Sequence, residues 1–248
     1  MRREIVDEPG DLRAAWEQNA PEVIAWFRTP DHDSYWLYHR EQFFDLMPPP
    51  GRLTLDIGCG EGRLSRDLKA HGHAVVALDG SPTMVAAAKE ADPEIEVVLG
   101  DAADLPFPDG YADLAIAFMS LQDVEDAAGA IGEAARVLES GGRLCFAIVH
   151  PFGSAGQFEG DEADSPFVVR GSYLDRFRWR DELDRDGLQV TFESAHRPIG
   201  WYFAALESAG FLVERLRETD IPDEALKLPR SSRWQRMPLF LHVRAVKP

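Results

Sequence analysis

Only two cysteines, Cys59 and Cys145, occur in the chain, and they stand far apart. This excludes a disulfide framework and the close pairing of a thiolate zinc site, and it suits a reducing cytoplasm. No apolar run is long enough to cross a bilayer, and the N-terminal arginines are not followed by a hydrophobic segment; a soluble, unsecreted protein is expected. Basic residues are scarce, 26 against 43 acidic, for a net charge of -17. Nucleic acid is therefore an unsuitable partner, because phosphate contacts rest on clustered lysine and arginine. One stretch departs from this. From Ala225 to Pro248 every charged residue is basic (Lys227, Arg230, Arg233, Arg236, Arg244, Lys247), which either balances the acidic remainder or faces an acidic group. No cluster with metal-ligand spacing occurs, so no metal ion is expected.

What is present fits one α/β domain of 248 residues, long enough to bury a full core. A helical region, roughly 11–46, ends at Pro48-Pro49-Pro50-Gly51, which stops a helix and delivers the chain into an extended segment. Short aliphatic runs then alternate with helical ones: LTLDI and RLSRDLKAHG, AVVALD and SPTMVAAAKEA, IEVVLGD, DLAIAFMS, a helix DAAGAIGEAARVLESGG closed by Gly141-Gly142, and RLCFAIVH. Parallel strands joined by crossover helices are implied, in a doubly wound sheet covered on both faces. From 151 to 198 the alternation gives way to a Gly-, Asp- and aromatic-rich insertion, read as a substrate cap with a short antiparallel pair near Phe167–Gly171 and Gln189–Glu193. A helix, IGWYFAALESAG, and two strands, FLVERLRE and PLFLHVRAVKP, close the chain as an antiparallel edge pair. The organisation is thus a lid over 1–50, a core over 51–150, a cap over 151–198 and a C-terminal part over 199–248.

In open α/β sheets a ligand sits beyond the carboxyl ends of the strands, where the first strand-to-helix turn lets backbone approach it. Gly58, Gly60 and Gly62 free such a turn of side chains, and Asp56 ends the strand feeding it. A dinucleotide fingerprint needs G-x-G-x-x-G, but Arg63 stands at its third glycine position. That spacing disfavours an NAD-dependent oxidoreductase.

In residues 51–150 the chain resembles the class I S-adenosylmethionine-dependent methyltransferases, in their small-molecule branch. "DIGCGEG" matches the family's acidic residue followed by G-x-G-x-G; Asp79 ends the second strand in "VVALDGSPTMV", Asp101 follows the third in "VVLGDAADLPFPDG", and "AFMSLQDVED" follows the fourth. The resemblance implies a seven-stranded Rossmann-like mixed sheet of order 3-2-1-4-5-7-6 and S-adenosylmethionine as cofactor, released as S-adenosylhomocysteine. It also implies cofactor contacts at Asp56, Gly58, Cys59, Gly60, Gly62, Asp79 with Gly80 and Met84, at Asp101 with Ala102 and Ala103, and at Phe118 and Met119. Asp79 takes the ribose hydroxyls and Asp101 the adenine amino group. The lid would add Trp26 and Tyr35 at the methionine end. Cys59 reads as a small packed thiol rather than a nucleophile.

The same resemblance implies in-line transfer of a methyl group to a small, aromatic or heterocyclic metabolite, with the N-, C- or O-acceptor open. His150 at the end of the fifth strand is a candidate base or hydrogen-bonding group, weighed against a backbone-capping role where Pro151 redirects the chain. Tyr35 and Tyr38 are the further catalytic candidates. Gln122, Phe152, Tyr173, Trp179, His196, Arg197 and Trp201, with Tyr38 and His150, are candidates for the acceptor pocket. Asp123 and Glu125 would suit an amine acceptor, although a solvated "DVED" surface is the simpler expectation. The absence of an Asn/Asp-Pro-Pro-Tyr/Phe motif after the fourth strand disfavours a protein or RNA methyltransferase. A non-catalytic nucleotide-binding regulator is a further alternative, and a homodimer is compatible with the chain without being specified by it.

Overall fold

The computed structural model describes residues 2–6, 11–227 and 231–248. Strand β1 (Arg2–Val6) and helix α1 (Leu12–Arg28) are followed by a π-helical turn, Tyr35–His39, and α2 (Arg40–Phe44). The core then runs β2 (Thr54–Ile57), α3 (Arg63–Ala70), β3 (Val75–Asp79), α4 (Pro82–Ala91), β4 (Glu96–Leu99), β5 (Ala112–Phe118), α5 (Ala127–Val137) and β6 (Leu138–Val149). After a short α6 (Pro151–Ser154), the insertion holds β7 (Gly156–Phe158), β8 (Phe167–Val169), β9 (Phe177–Arg185) and β10 (Leu188–His196). Helix α7 (Ile199–Ser208) and strands β11 (Leu212–Glu218) and β12 (Phe240–Val246) complete the chain.

Among the described residues, seven strands form the central sheet in the order β11-β12-β6-β5-β2-β3-β4. Counting core strands alone, this is the expected 3-2-1-4-5-7-6 order, with β12 antiparallel to both its neighbours. β2, flanked by β5 and β3 inside the sheet, is buried at every position, as a strand covered on both faces must be. Helix starts follow local chemistry. Ser81 Oγ accepts from Met84 N at 3.1 Å with Pro82 in the first turn of α4, and the Asp126 carboxylate caps α5 through Gly129 N at 2.9 Å.

Three expectations are corrected. The insertion's strands pair otherwise: β8 pairs with β7, and β10 forms a hairpin with β9 in which each strand has nine residues. Its turn, Asp186-Gly187, takes positive φ at both positions (53° and 80°), which is the primed hairpin geometry that an Asp-Gly pair favours. The N-terminal region is not purely helical, since β1 adds itself to β9 in antiparallel register and thereby ties the start of the chain to the cap. Helix α5 ends at Val137 rather than at the Gly141-Gly142 pair, because Leu138 already aligns with Ala112 of β5.

The basic C-terminal stretch forms no free basic face among the described residues. Lys227 pairs with Glu224, Arg233 with Asp161 and Arg244 with Glu214, while Arg236 and Lys247 donate to backbone carbonyls; Arg230 lies outside the described residues. No helix among the described residues is long and apolar enough to cross a membrane.

The lid's π-helical turn is anchored by two buried imidazoles: His39 Nδ1 and His242 Nε2 of β12 lie 2.9 Å apart among Phe43, Phe118 and Phe240. Burial lowers both pKa values, His242 to about 3. In the unfolded chain such groups titrate near 6.5, so their contribution is complete above that pH and declines as pH falls towards the folded values. Replacing His242 with Gln should therefore flatten the fall in unfolding free energy between pH 6.5 and 5, by up to about 1.4 kcal/mol per pH unit as the pH nears 5. Urea denaturation across that range reads the slope. The parent–variant difference is the informative quantity, because carboxyls raised by burial at Asp56, Asp79 and Asp123 act in the opposite sense.

Candidate active site

The turn from β2 to α3 opens onto a cavity of about 1190 Å³, bounded by the strand ends, the lid and the cap hairpin. Gly58 adopts φ +74°, and a Cβ there would lie 2.5 Å from Ser120 Cβ, so the loop after β5 closes directly against it. Gly60, at φ +58°, has nothing within 4 Å of where a Cβ would stand; bare backbone faces open space. Gly62, also left-handed, starts α3 and lies behind this rim.

Two carboxylates stand at the cavity floor. Asp79 Oδ2 accepts from Gly60 N at 2.8 Å and Oδ1 from Ser81 N at 2.9 Å, which ties the second strand end to the glycine turn and leaves lone pairs for a ligand. Burial raises its pKa against those backbone hydrogen bonds. Asp56 accepts from Ser65 Oγ at 2.5 Å through Oδ2, while its buried Oδ1 has no partner. Burial pushes this carboxyl up to about 6, with the Ser65 hydrogen bond opposing. An orphaned buried carboxylate oxygen on a cavity wall calls for a cation or a donor from a ligand. Arg63, at the start of α3, holds Asp33 at 3.0 Å and lies 3.6 Å over the Phe27 ring, and so brings a cation to the same end.

Asp56, Gly58, Cys59, Gly60, Asp79, Gly80, Met84, Asp101, Ala102, Ala103, Phe118, Met119 and Trp26 all line this one cavity, as do Tyr38, Gln122 and Trp179. Met119 takes φ +54°, turned so that its amide reaches Ala147 O at 2.8 Å. Asp101 is exposed, accepts from Ala103 N at 2.9 Å and faces Arg13 at 3.9 Å. Burial pushes the Cys59 thiol well up, which keeps it protonated and unsuited to nucleophilic work.

Other candidates lie elsewhere. Tyr35 is fully buried in the core, with its hydroxyl on Asp67 Oδ2 at 2.5 Å. His150 does not line the cavity: its Nδ1 accepts from Phe152 N at 3.1 Å, capping α6, and its Nε2 lies 3.1 Å from Glu218. Burial lowers its pKa, with Glu218 opposing. His196 is held between Ser154 Oγ (2.7 Å) and Tyr173 O (2.9 Å), and the Tyr173 hydroxyl accepts from Ile199 N. Arg197 spends its guanidinium on the carbonyls of Leu121, Val124 and Glu125 and sits over Trp201. Phe152 stacks on Phe167 at the surface. Tyr35 thus braces the lid against α3, and the others support the cap or the loop after β5 from outside the cavity.

Some lining residues escaped sequence reasoning. Arg13 of α1 donates to Gly80 O at 2.9 Å, and Trp16 Nε1 reaches Glu193 O of β10 at the same distance. Outside the lining, Glu17 accepts from Ser81 Oγ and Thr83 Oγ1 (2.7 Å), fastening the lid to the start of α4. Of the two expectations for Asp123, a place beside an acceptor and a solvated surface, the first fits its position: it lines the cavity, bonded to Ser194 of the cap.

A family model for a methyltransferase domain matches residues 55–146. The ubiquinone/menaquinone biosynthesis C-methyltransferase UbiE of Caulobacter sp. (strain K31) is 32% identical over 183 residues, 67% of this chain and 70% of that protein. A demethylmenaquinone methyltransferase of Beutenbergia cavernae is 39% identical over 111 residues, 45% of this chain and 46% of its own, so the chain spans about half the length of that relative. Among solved structures, an S-adenosylmethionine-dependent methyltransferase of Mesorhizobium loti superposes with a TM-score of 0.69 at 26% identity, covering 87% of this chain and 99% of the other. With the sheet order and the glycine turn flanked by Asp56 and Asp79, these likenesses establish that the chain belongs to the class I S-adenosylmethionine-dependent methyltransferases, enzymes whose cofactor is S-adenosylmethionine.

Proposed function

We propose that this chain transfers a methyl group to a small aromatic or heterocyclic metabolite enclosed between lid and cap. The observation that carries the reading is the size of the cavity at the glycine turn and the groups that line it. At about 1190 Å³ it exceeds the ~300–1,000 Å³ that a single small ligand fills, with Asp56 and Asp79 at its glycine end and Asp123 beside the cap. Asp56 and Arg63 would hold the amino-acid part of the cofactor, the bare backbone at Gly58–Gly60 its chain, Asp79 the ribose, and Asp101 to Ala103 the adenine. The cofactor when bound supplies an activated methyl group on a sulfonium. Beyond it, Tyr38, Trp179, Trp234 and Phe240 line the remaining space, a surface suited to a flat ring. The protein's work there is to orient the acceptor in line and to exclude water. The names of the two curated relatives, both methyltransferases of quinone synthesis, favour a ring as the acceptor's body.

In this reading residues 1–50 and 151–198 act together as the cover of a single domain, working in the cytoplasm on a small molecule and not on nucleic acid. Calorimetric titration tests it: S-adenosylhomocysteine binds and NAD does not. Binding of NAD with no response to S-adenosylhomocysteine contradicts it. Because His150 stands outside the cavity, His150→Ala should cost about 1 kcal/mol of stability through the lost cap and leave S-adenosylhomocysteine affinity within twofold, by thermal melting and the same titration.

A further inference from the structure

At the end of the cavity where core and cap meet, polar side chains converge without satisfying one another. Ser194 Oγ of β10 donates to Asp123 Oδ1 at 2.5 Å, and Gln122 Nε2 donates to Met119 O at 2.7 Å and to Asp123 Oδ2 at 3.1 Å. That orientation leaves Gln122 Oε1 buried with no donor, although the residue is only 5% exposed. Opposite Ser194 in the hairpin register stands Trp179, and directly paired residues present their side chains on one face. Trp179 is 3% exposed, and its Nε1–H, buried like Gln122 Oε1, meets no acceptor. Both groups line the same cavity as Asp123.

An unpaired donor and an unpaired acceptor, both more than nine-tenths buried on the wall of the cavity that Asp123 also lines, carry a desolvation penalty that a bound molecule would relieve. The carboxylate itself receives hydrogen bonds from neutral groups, whereas the nearby Arg197 guanidinium is tied to carbonyls. Burial accordingly raises the Asp123 pKa well above the ordinary carboxyl range, in the direction that makes a carboxylate a stronger base.

We infer that Asp123 is a catalytic residue that takes a proton from a protic acceptor, one whose nucleophile is an O–H or N–H group, while Gln122 Oε1 and Trp179 Nε1 orient that acceptor. The inference rests on the methyl-transfer reading above and narrows its substrate class. The acceptor's proton passes to an Asp123 oxygen as its O or N lone pair forms the new bond to the methyl carbon. The carbon–sulfur bond breaks with its electron pair left on the thioether, so the sulfonium charge is neutralised and the carboxylate ends protonated.

Matched probes test this. Protein saturated with S-adenosylhomocysteine is titrated with 1-naphthol against 1-methoxynaphthalene, and with 1-naphthylamine against N,N-dimethyl-1-naphthylamine. In at least one pair the protic member should bind tenfold or more tightly than its methylated counterpart; the pair that discriminates identifies oxygen or nitrogen. Asp123→Asn, of the same shape, should cut that ratio at least threefold with S-adenosylhomocysteine affinity retained as the control for folding. Equal binding within both pairs, or an unchanged ratio in the variant, overturns the inference. Failure of S-adenosylhomocysteine to bind the parent protein would instead overturn the methyl-transfer reading itself.

Discussion

Asp79→Ala should weaken S-adenosylhomocysteine binding at least a hundredfold. A carboxylate that accepts from two vicinal hydroxyls makes two hydrogen bonds to a charged group, each worth about 1.5–3 kcal/mol, and tenfold in affinity corresponds to about 1.4 kcal/mol. The substitution also frees Gly60 N and Ser81 N, which Asp79 now receives at 2.8 and 2.9 Å, so the glycine turn loses its tie to the second strand. Both effects act in the same direction. Calorimetry on parent and variant measures the ratio, with circular dichroism as the check on folding. A folded variant that binds within threefold of the parent would remove Asp79 from the ribose site.

The second large effect falls on stability. At Gly58 an alanine must adopt φ +74° and place its Cβ 2.5 Å from that of Ser120, which cannot step aside because its hydroxyl donates to Ile57 O at 2.7 Å. A left-handed alanine costs ~1–2 kcal/mol and an overpacked contact ~1–3 kcal/mol, so Gly58→Ala should lose about 2–5 kcal/mol by urea denaturation. Gly60→Ala is the comparison. It shares the positive φ but faces open cavity, so only the backbone term of ~1–2 kcal/mol applies, while the new methyl intrudes on the ligand's space. A Gly58 variant no less stable than the Gly60 variant would mean that the turn is not packed as described.

The parts of this site legible in sequence are those whose chemistry is local. The bare turn at Gly58, Gly60 and Gly62 is readable because three left-handed residues and a close approach admit few other side chains, and Asp56 and Asp79 are readable because each stands at the end of a strand of recognisable pattern. The Asp-Gly at 186–187 is an equally local hairpin signal, and it sets Gln189–Glu193 opposite β9 rather than opposite Phe167–Gly171. What stayed hidden depends on contacts between distant segments. Trp16 meets Glu193, and Asp123 meets Ser194, only once α1 and the cap hairpin fold over the core. Tyr35 and Tyr38 sit three residues apart on one π-helical turn, yet one is buried on Asp67 and the other faces the cavity near Ser231; spacing alone does not choose between them. His150 was ambiguous for a different reason, since a histidine before Pro151 reads equally as a base and as a helix cap, and its ring is turned to Phe152 N and Glu218.

The central claim is that the β2–α3 turn, with Asp56 and Asp79, is the seat of the cofactor. A crystal structure of the protein with S-adenosylhomocysteine measures this most directly. Density is expected along Gly58–Gly60, with the ribose hydroxyls on the Asp79 carboxylate and the amino group directed at the Asp56 oxygen that now lacks a partner. Density for the nucleoside anywhere else, with Asp56 and Asp79 untouched, would contradict it.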